Sequence, residues 1–148
     1  MSLLVLVHHG DAVGSDVDPM RPLSTVGRAA ADRLAVAVAR RGIRPDAIWH
    51  SGKLRARQTA ELFWKACNPL ASLTAERGLL PDDPPQWICD RLAGETRSIL
   101  IAGHMPYLPR LLSMLVGDVA GSREFPLHGC VALESHGDRW TEVWRLEA

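Results

Sequence analysis

Residues 6–12 read Leu-Val-His-His-Gly-Asp-Ala, so two adjacent histidines close an apolar run and meet a glycine and an acid. A neutral imidazole attacks phosphorus when one ring nitrogen is free and the other is fixed by a hydrogen bond. Gly10 allows a tight turn that would leave the His9 ring exposed. Further on, Arg55 stands in Ser-Gly-Lys-Leu-Arg-Ala-Arg, residues 51–57. A guanidinium early in a helix suits a phosphate through its fork of donors and through the helix dipole. His104 stands in Ala-Gly-His-Met-Pro, where Gly103 lets the backbone turn and the N–H groups of a helix start lie nearby. Together these groups make a nucleophilic ring among cations, which is equipment for phosphoryl transfer. Taken singly, each also has a structural reading: a strand-end histidine, a solvated arginine, a helix-capping histidine.

Other candidates carry less context. Arg21, in Met-Arg-Pro-Leu-Ser, reaches the same place or faces water. Arg57 is two residues beyond Arg55 and points away from it on a helix. His50, His128 and His136 read as structural or surface residues, and the tryptophans as packing residues.

Positioning such groups requires rigid elements. Leu3–Val7 is a short, continuous apolar run, the pattern of a strand buried on both faces. Residues 13–23 carry Gly, Pro and Asp and read as a loop. Ser24 is a good N-cap for an alanine-rich helix over 25–41 that stops at Gly42. Residues 46–51 form a second strand and 53–66 a helix, followed by a short strand near Leu73, the loop Pro-Asp-Asp-Pro-Pro-Gln and a short helix ending at Gly94. Residues 98–102 are another buried strand, and 105–117 a helix with Pro106 in its first turn. Residues 130–135 and 140–146 form a hairpin around His-Gly-Asp. This alternation predicts one α/β domain over 1–148, with a mainly parallel central sheet and helices on both faces. Ligands bind at the carboxyl ends of strands in such sheets. Those ends carry His8-His9-Gly10, Ser51 and Gly103-His104.

Composition narrows the partners. The chain has 17 basic and 17 acidic side chains and a formal net charge of zero, so bulk electrostatics predict neither a nucleic-acid nor a membrane partner. Its three cysteines are widely spaced and odd in number, which argues against a disulfide framework and for free thiols in a reducing cytoplasm. The N-terminus lacks the basic region and cleavage site of a signal peptide. Oligomeric state is not legible.

Four segments in order carry a resemblance: Val-His-His-Gly-Asp-Ala, Arg-Pro-Leu-Ser-Thr-Val-Gly, Ser-Gly-Lys-Leu-Arg-Ala-Arg-Gln-Thr-Ala-Glu and Ile-Leu-Ile-Ala-Gly-His-Met-Pro. In them the chain resembles the histidine phosphatase superfamily, specifically its SixA-type phosphohistidine phosphatases, over nearly its whole length. The resemblance implies a phosphoglycerate mutase-like fold and a metal-independent phosphatase with no cofactor. It implies His9 as the residue phosphorylated, with Arg55 and His104 around the phosphoryl group. Gly10, Ser51 and Gly103 would shape the phosphate site, and Arg21 would be a substrate contact. The implied partner is a phosphorylated protein, such as a His-containing phosphotransfer domain.

One position departs from the family's Arg-His-Gly signature, because its arginine is His8 here. A permanently charged fork is thereby exchanged for a ring with an ordinary pKa near ~6.5. Loss of one charge-stabilising donor typically costs about 10²–10³ in rate. The exchange calls for a protonated His8, for help from Arg21 or Lys53, or for a catalytically weak phosphate-binding relative. Asp82 and Asp83 are the acids in a loop able to protonate an alkoxide leaving group. Without such an acid, a labile phosphoramidate suits the site better than a phosphomonoester. A broad small-molecule phosphomonoesterase is the alternative reading. A zinc site from His8, His9 and His104 is disfavoured, since neighbours on a strand point to opposite faces.

Overall fold

The computed structural model describes residues 2–118 and 123–148. In chain order the elements are β1 (Leu3–His8), α1 (Thr25–Ala39), β2 (Ala47–His50), α2 (Leu54–Cys67), β3 (Ser72–Ala75), α3 (Gln86–Ala93), β4 (Ile99–Gly103), α4 (Tyr107–Val116), β5 (Cys130–His136) and β6 (Arg139–Leu146). The strands form a six-stranded sheet in the order β3-β2-β4-β1-β5-β6. The first four pair in parallel, while β5 runs antiparallel to β1 and β6 antiparallel to β5. The expected α/β architecture is therefore present, with a mainly parallel sheet whose antiparallel part is the terminal hairpin.

Strand β1 shows why its sequence is unbroken by polar residues. Leu4 and Leu6 enter one core with Ile88 of α3 and Leu111 of α4, while Val5 and Val7 enter the other with Leu34 of α1 and Phe63 of α2. Both faces are covered, so successive side chains are apolar and fully buried. Each contributes roughly 1.5–3 kcal/mol of transfer free energy.

Element ends follow local chemistry. Ser24 caps α1, its hydroxyl accepting from the Gly27 N–H at 2.9 Å. The helix stops at Ala39, short of the expected Arg41; Gly42, at φ 78°, lies in the turn beyond it. Pro106 precedes α4 rather than opening it, following a cis Met105–Pro106 bond. Gly117, at φ 77°, gives α4 a left-handed cap. Among the described residues no helix is long and apolar enough to cross a membrane.

The register gathers the candidate residues. His8 ends β1 opposite Gly103, the last residue of β4, and Ser51 follows β2 at the same edge of the sheet. Because β5 is antiparallel, its beginning lies there too, with Cys130 paired to Val7.

Candidate active site

His9 lies just past the end of β1, where its N–H donates to the Gly103 carbonyl at 3.0 Å. Its ring Nδ1–H donates to the Gly10 carbonyl at 2.7 Å. That bond fixes the tautomer and leaves Nε2 with a free lone pair. Burial is the main cause holding the His9 pKa down at about 4, so the ring is unprotonated at neutral pH. Gly10 is anchored in turn: its N–H donates to Thr59 Oγ1 at 3.0 Å, and that hydroxyl donates to the Arg55 carbonyl at 2.8 Å. Thr59, buried one turn into α2, thus ties the catalytic loop to the helix that carries Arg55. Sequence reading missed it, although its place four residues after Arg55 was a usable signal.

Around His9 the charges are cationic. Arg55 is the second residue of α2, and its Nε is buried without a hydrogen-bond partner. Burial and then Arg21 act against the Arg55 charge, yet a guanidinium stays protonated in a protein. Arg21 adopts a left-handed backbone at φ 49°, donates Nε–H to the Val13 carbonyl at 3.0 Å and acts electrostatically on His9. Pro19, Met20, Ser51, Lys53, Arg55 and Leu80 line an adjoining cleft.

His104 packs edge-on to His9, with ring centroids 5.2 Å apart. Burial holds its pKa down at about 3. Its Nε2 lies 2.6 Å from Ser51 Oγ, and that hydroxyl also accepts the Lys53 N–H. With Ser51 donating to Nε2, the ring proton sits on Nδ1, a buried atom with no protein partner. Arg55 Nε and His104 Nδ1 are thus both buried donors without a protein partner, although such groups are nearly always satisfied in native proteins. Ser51, expected at the phosphate site, is hydrogen-bonded to His104 and so orients that ring. Ser51→Ala is expected to lower turnover about tenfold with little change in stability, and Ser51→Thr to restore it, as read by steady-state kinetics and thermal melting.

Two expectations fail at the end of β1. The alternation rule does not separate His8 from His9, because the chain leaves the strand after His8 and the ring centroids come within 4.5 Å. Nor is His8 suited to carry charge. It is buried, and burial followed by His9 and His128 sets its pKa down at about 3. Its Nδ1 accepts the His128 backbone N–H at 2.8 Å, so the neutral ring bears its proton on Nε2.

His128, read from sequence as structural or surface, belongs to this cluster. Its ring stacks on His8 at 4.8 Å and 8° between planes, and its Nδ1–H donates to the His9 carbonyl at 2.7 Å. No motif flags it. His8, His9 and His128 each bring one ring nitrogen within 4.8 Å of the others, a spacing a metal ion could bridge. This grouping replaces the imagined set with His104. Only His9 and His128 offer lone pairs, however, since His8 Nε2 carries a proton and its Nδ1 is taken.

The sequence of these motifs matches a known pattern. A family model for the histidine phosphatase superfamily (branch 1) matches residues 4–80, more than half the chain. The chain belongs to the histidine phosphatase superfamily. Solved structures of the same fold cover its whole length. The protein histidine phosphatase SixA complexed with tungstate superposes with a TM-score of 0.87 at 22% identity, covering 98% of this chain and 96% of that one. SixA from Agrobacterium tumefaciens gives 0.82 at 24% identity over 99% and 98%. A phosphoserine phosphatase from Entamoeba histolytica, in complex with 3-phosphoglyceric acid, gives 0.76 at 13% identity over 100% and 98%. No curated protein matches the chain in sequence. His8 stands where the resemblance implies the signature arginine, and its ring stacks on His128.

Proposed function

We propose that this protein is a phosphohistidine phosphatase that removes the phosphoryl group from a histidine on another protein through a phospho-His9 intermediate. One observation supports it above the rest: His9 Nε2 is held free and neutral by the Nδ1–H bond to Gly10, beside Arg55 and His104. His9 attacks phosphorus in line, the leaving imidazole departs, and Arg55, His104 and the His8 Nε2–H hold the equatorial oxygens. Water then cleaves the phospho-His9 bond. Arg55 supplies positive charge and the neutral rings supply N–H donors, so the steps call for no metal.

The substrate class rests on the charges present. Those acting most on His8, His9 and His104 are histidines, arginines and a lysine, with no carboxylate among them. A phosphoramidate leaves without the general acid that an alkoxide needs. Asp83 accepts the Leu80 N–H at 2.9 Å, which holds one oxygen of that carboxylate against its own loop. A protein partner is supported by the rim. Val17, Met20, Leu80 and Leu127 in the loops at the His9 end of the sheet, and Trp87 in the first turn of α3, are exposed apolar residues. Apolar surface around a polar pocket is the pattern of a docking surface.

The small-molecule phosphomonoesterase reading draws on one feature: Asp83 lines a groove with Ser51, Arg77, Leu80 and Trp87. A single comparison separates the two. Hydrolysis of a phosphohistidine protein should exceed that of alkyl phosphates by about 10²–10⁴ in kcat/KM, the contribution of a missing general acid. Equal rates, with the alkyl rate lost in Asp83→Asn, would establish the phosphomonoesterase instead.

A further inference from the structure

Building on the phosphatase reading, we propose that His128 supplies the positive charge that His8 cannot, by taking a proton on Nε2 when a dianionic oxyanion enters the site. The superfamily's arginine joins a fork of donors to a fixed charge. Here the two duties fall to two rings.

His8 is locked as a neutral donor. Its Nδ1 faces the His128 N–H at 2.8 Å, and a second ring proton there would oppose one N–H to another. His128 is built the other way. Its Nδ1–H is already committed to the His9 carbonyl at 2.7 Å, so protonation at Nε2 breaks no hydrogen bond. The resulting cation would lie flat on the neutral His8 ring, 4.8 Å away, and within 6.2 Å of the nucleophilic ring.

The backbone supports a dedicated placement. His128 adopts φ 55°, a left-handed conformation uncommon for a residue with a side chain. Strain of this kind persists where surrounding structure fixes it and clusters at functional sites. It lets one residue aim its N–H at His8 and its ring N–H at the His9 carbonyl together. The charged and titratable groups acting on His8, besides His128, are His9 after β1, His104 after β4 and Arg55 from α2, and Arg21 from the loop after β1 acts on His9. No carboxylate is among them, and a dianionic ligand would bring the negative charge that favours protonating His128. The step is a simple addition: one proton from solvent joins the Nε2 lone pair, and it leaves with the oxyanion.

Sulfate tests this cleanly, because it stays a dianion from pH 5 to 8 and cannot be hydrolysed. Calorimetric titration at pH 7 in buffers of different ionisation enthalpy should show more than half a proton taken up per sulfate bound. His128→Asn keeps an N–H donor and tolerates the left-handed backbone. In that variant uptake should fall to near zero and affinity about tenfold or more, the worth of a hydrogen bond to a charged group. His8→Asn should weaken binding yet keep the uptake. Absence of uptake in the wild type, uptake that survives His128→Asn, or failure to bind sulfate would each overturn the proposal. Failure of the phosphohistidine reading shows separately, as a wild type that takes up the proton but does not hydrolyse the phosphoprotein.

Discussion

His9→Ala is expected to abolish the phosphoenzyme and to cut turnover by at least about 10⁴, the scale seen when a covalent nucleophile is removed. The reason is specific to this loop. Of the rings in the cluster, His9 has its Nδ1–H fixed by Gly10 and its Nε2 beside Arg55, whereas His8 carries its proton on Nε2 and cannot substitute without changing tautomer. Brief exposure to phosphorus-32-labelled substrate, followed by an alkaline quench, should trap an acid-labile label in the wild type and none in the variant. His9→Asn, which keeps an amide donor for the Gly10 carbonyl, should fold as the wild type does and also remain unlabelled. A label that persists in both variants would move the nucleophile to another residue.

Acid should destabilise the protein steeply, well before its carboxylates titrate. Burial lowers His8 and His104 to about 3 and His9 to about 4, against an ordinary value of 6.5 in the unfolded chain. Above pH 6.5 these rings are neutral in both states, and their contribution is fully present. As pH falls below 6.5 the unfolded chain binds protons that the folded site refuses, so stability declines until the folded values are reached. Each ring then costs about 2 kcal/mol by pH 5. Three such losses are a large share of a typical domain's 5–15 kcal/mol or so. Urea denaturation at pH 7 and pH 5, in buffer free of phosphate and sulfate, should show a large drop in the midpoint. The drop should shrink on adding sulfate, which favours protonated rings. A midpoint unchanged across that range would show that the rings are far more hydrated than their burial indicates.

Much of this architecture was legible because its determinants are local. An unbroken apolar run at Leu3–Val7 means a strand covered on both sides, and Ser24 ahead of an alanine-rich stretch means a helix start. His9, Arg55 and His104 were legible for a related reason: each stands at the end of a strand or the start of a helix, where the sheet's chemistry collects. His128 was not. It belongs to no motif, and β5 pairing with β1 brings it to His8 across 120 residues. The charge state of His8 was equally hidden. Its type suggested a switch at ordinary pH, but burial and one backbone N–H decide otherwise, and both are tertiary properties. Thr59 illustrates the intermediate case, a buried hydroxyl whose helical spacing hinted at a role that only the Gly10 contact defines.

The reversed direction of β5 has a consequence for how such a site can change over generations. In an all-parallel sheet, residues at the reactive edge come from strand ends and from the loops and helix starts that follow them, and no strand begins there. Here the approach to an inverted strand opens at the same edge, so a residue that belongs to no signature can reach the nucleophile's carbonyl. A substitution at position 8 need not be mended at position 8. If His128 carries the charge proposed for it, the signature position is not where that charge has to be sought, and a search that insists on arginine there passes such a chain over.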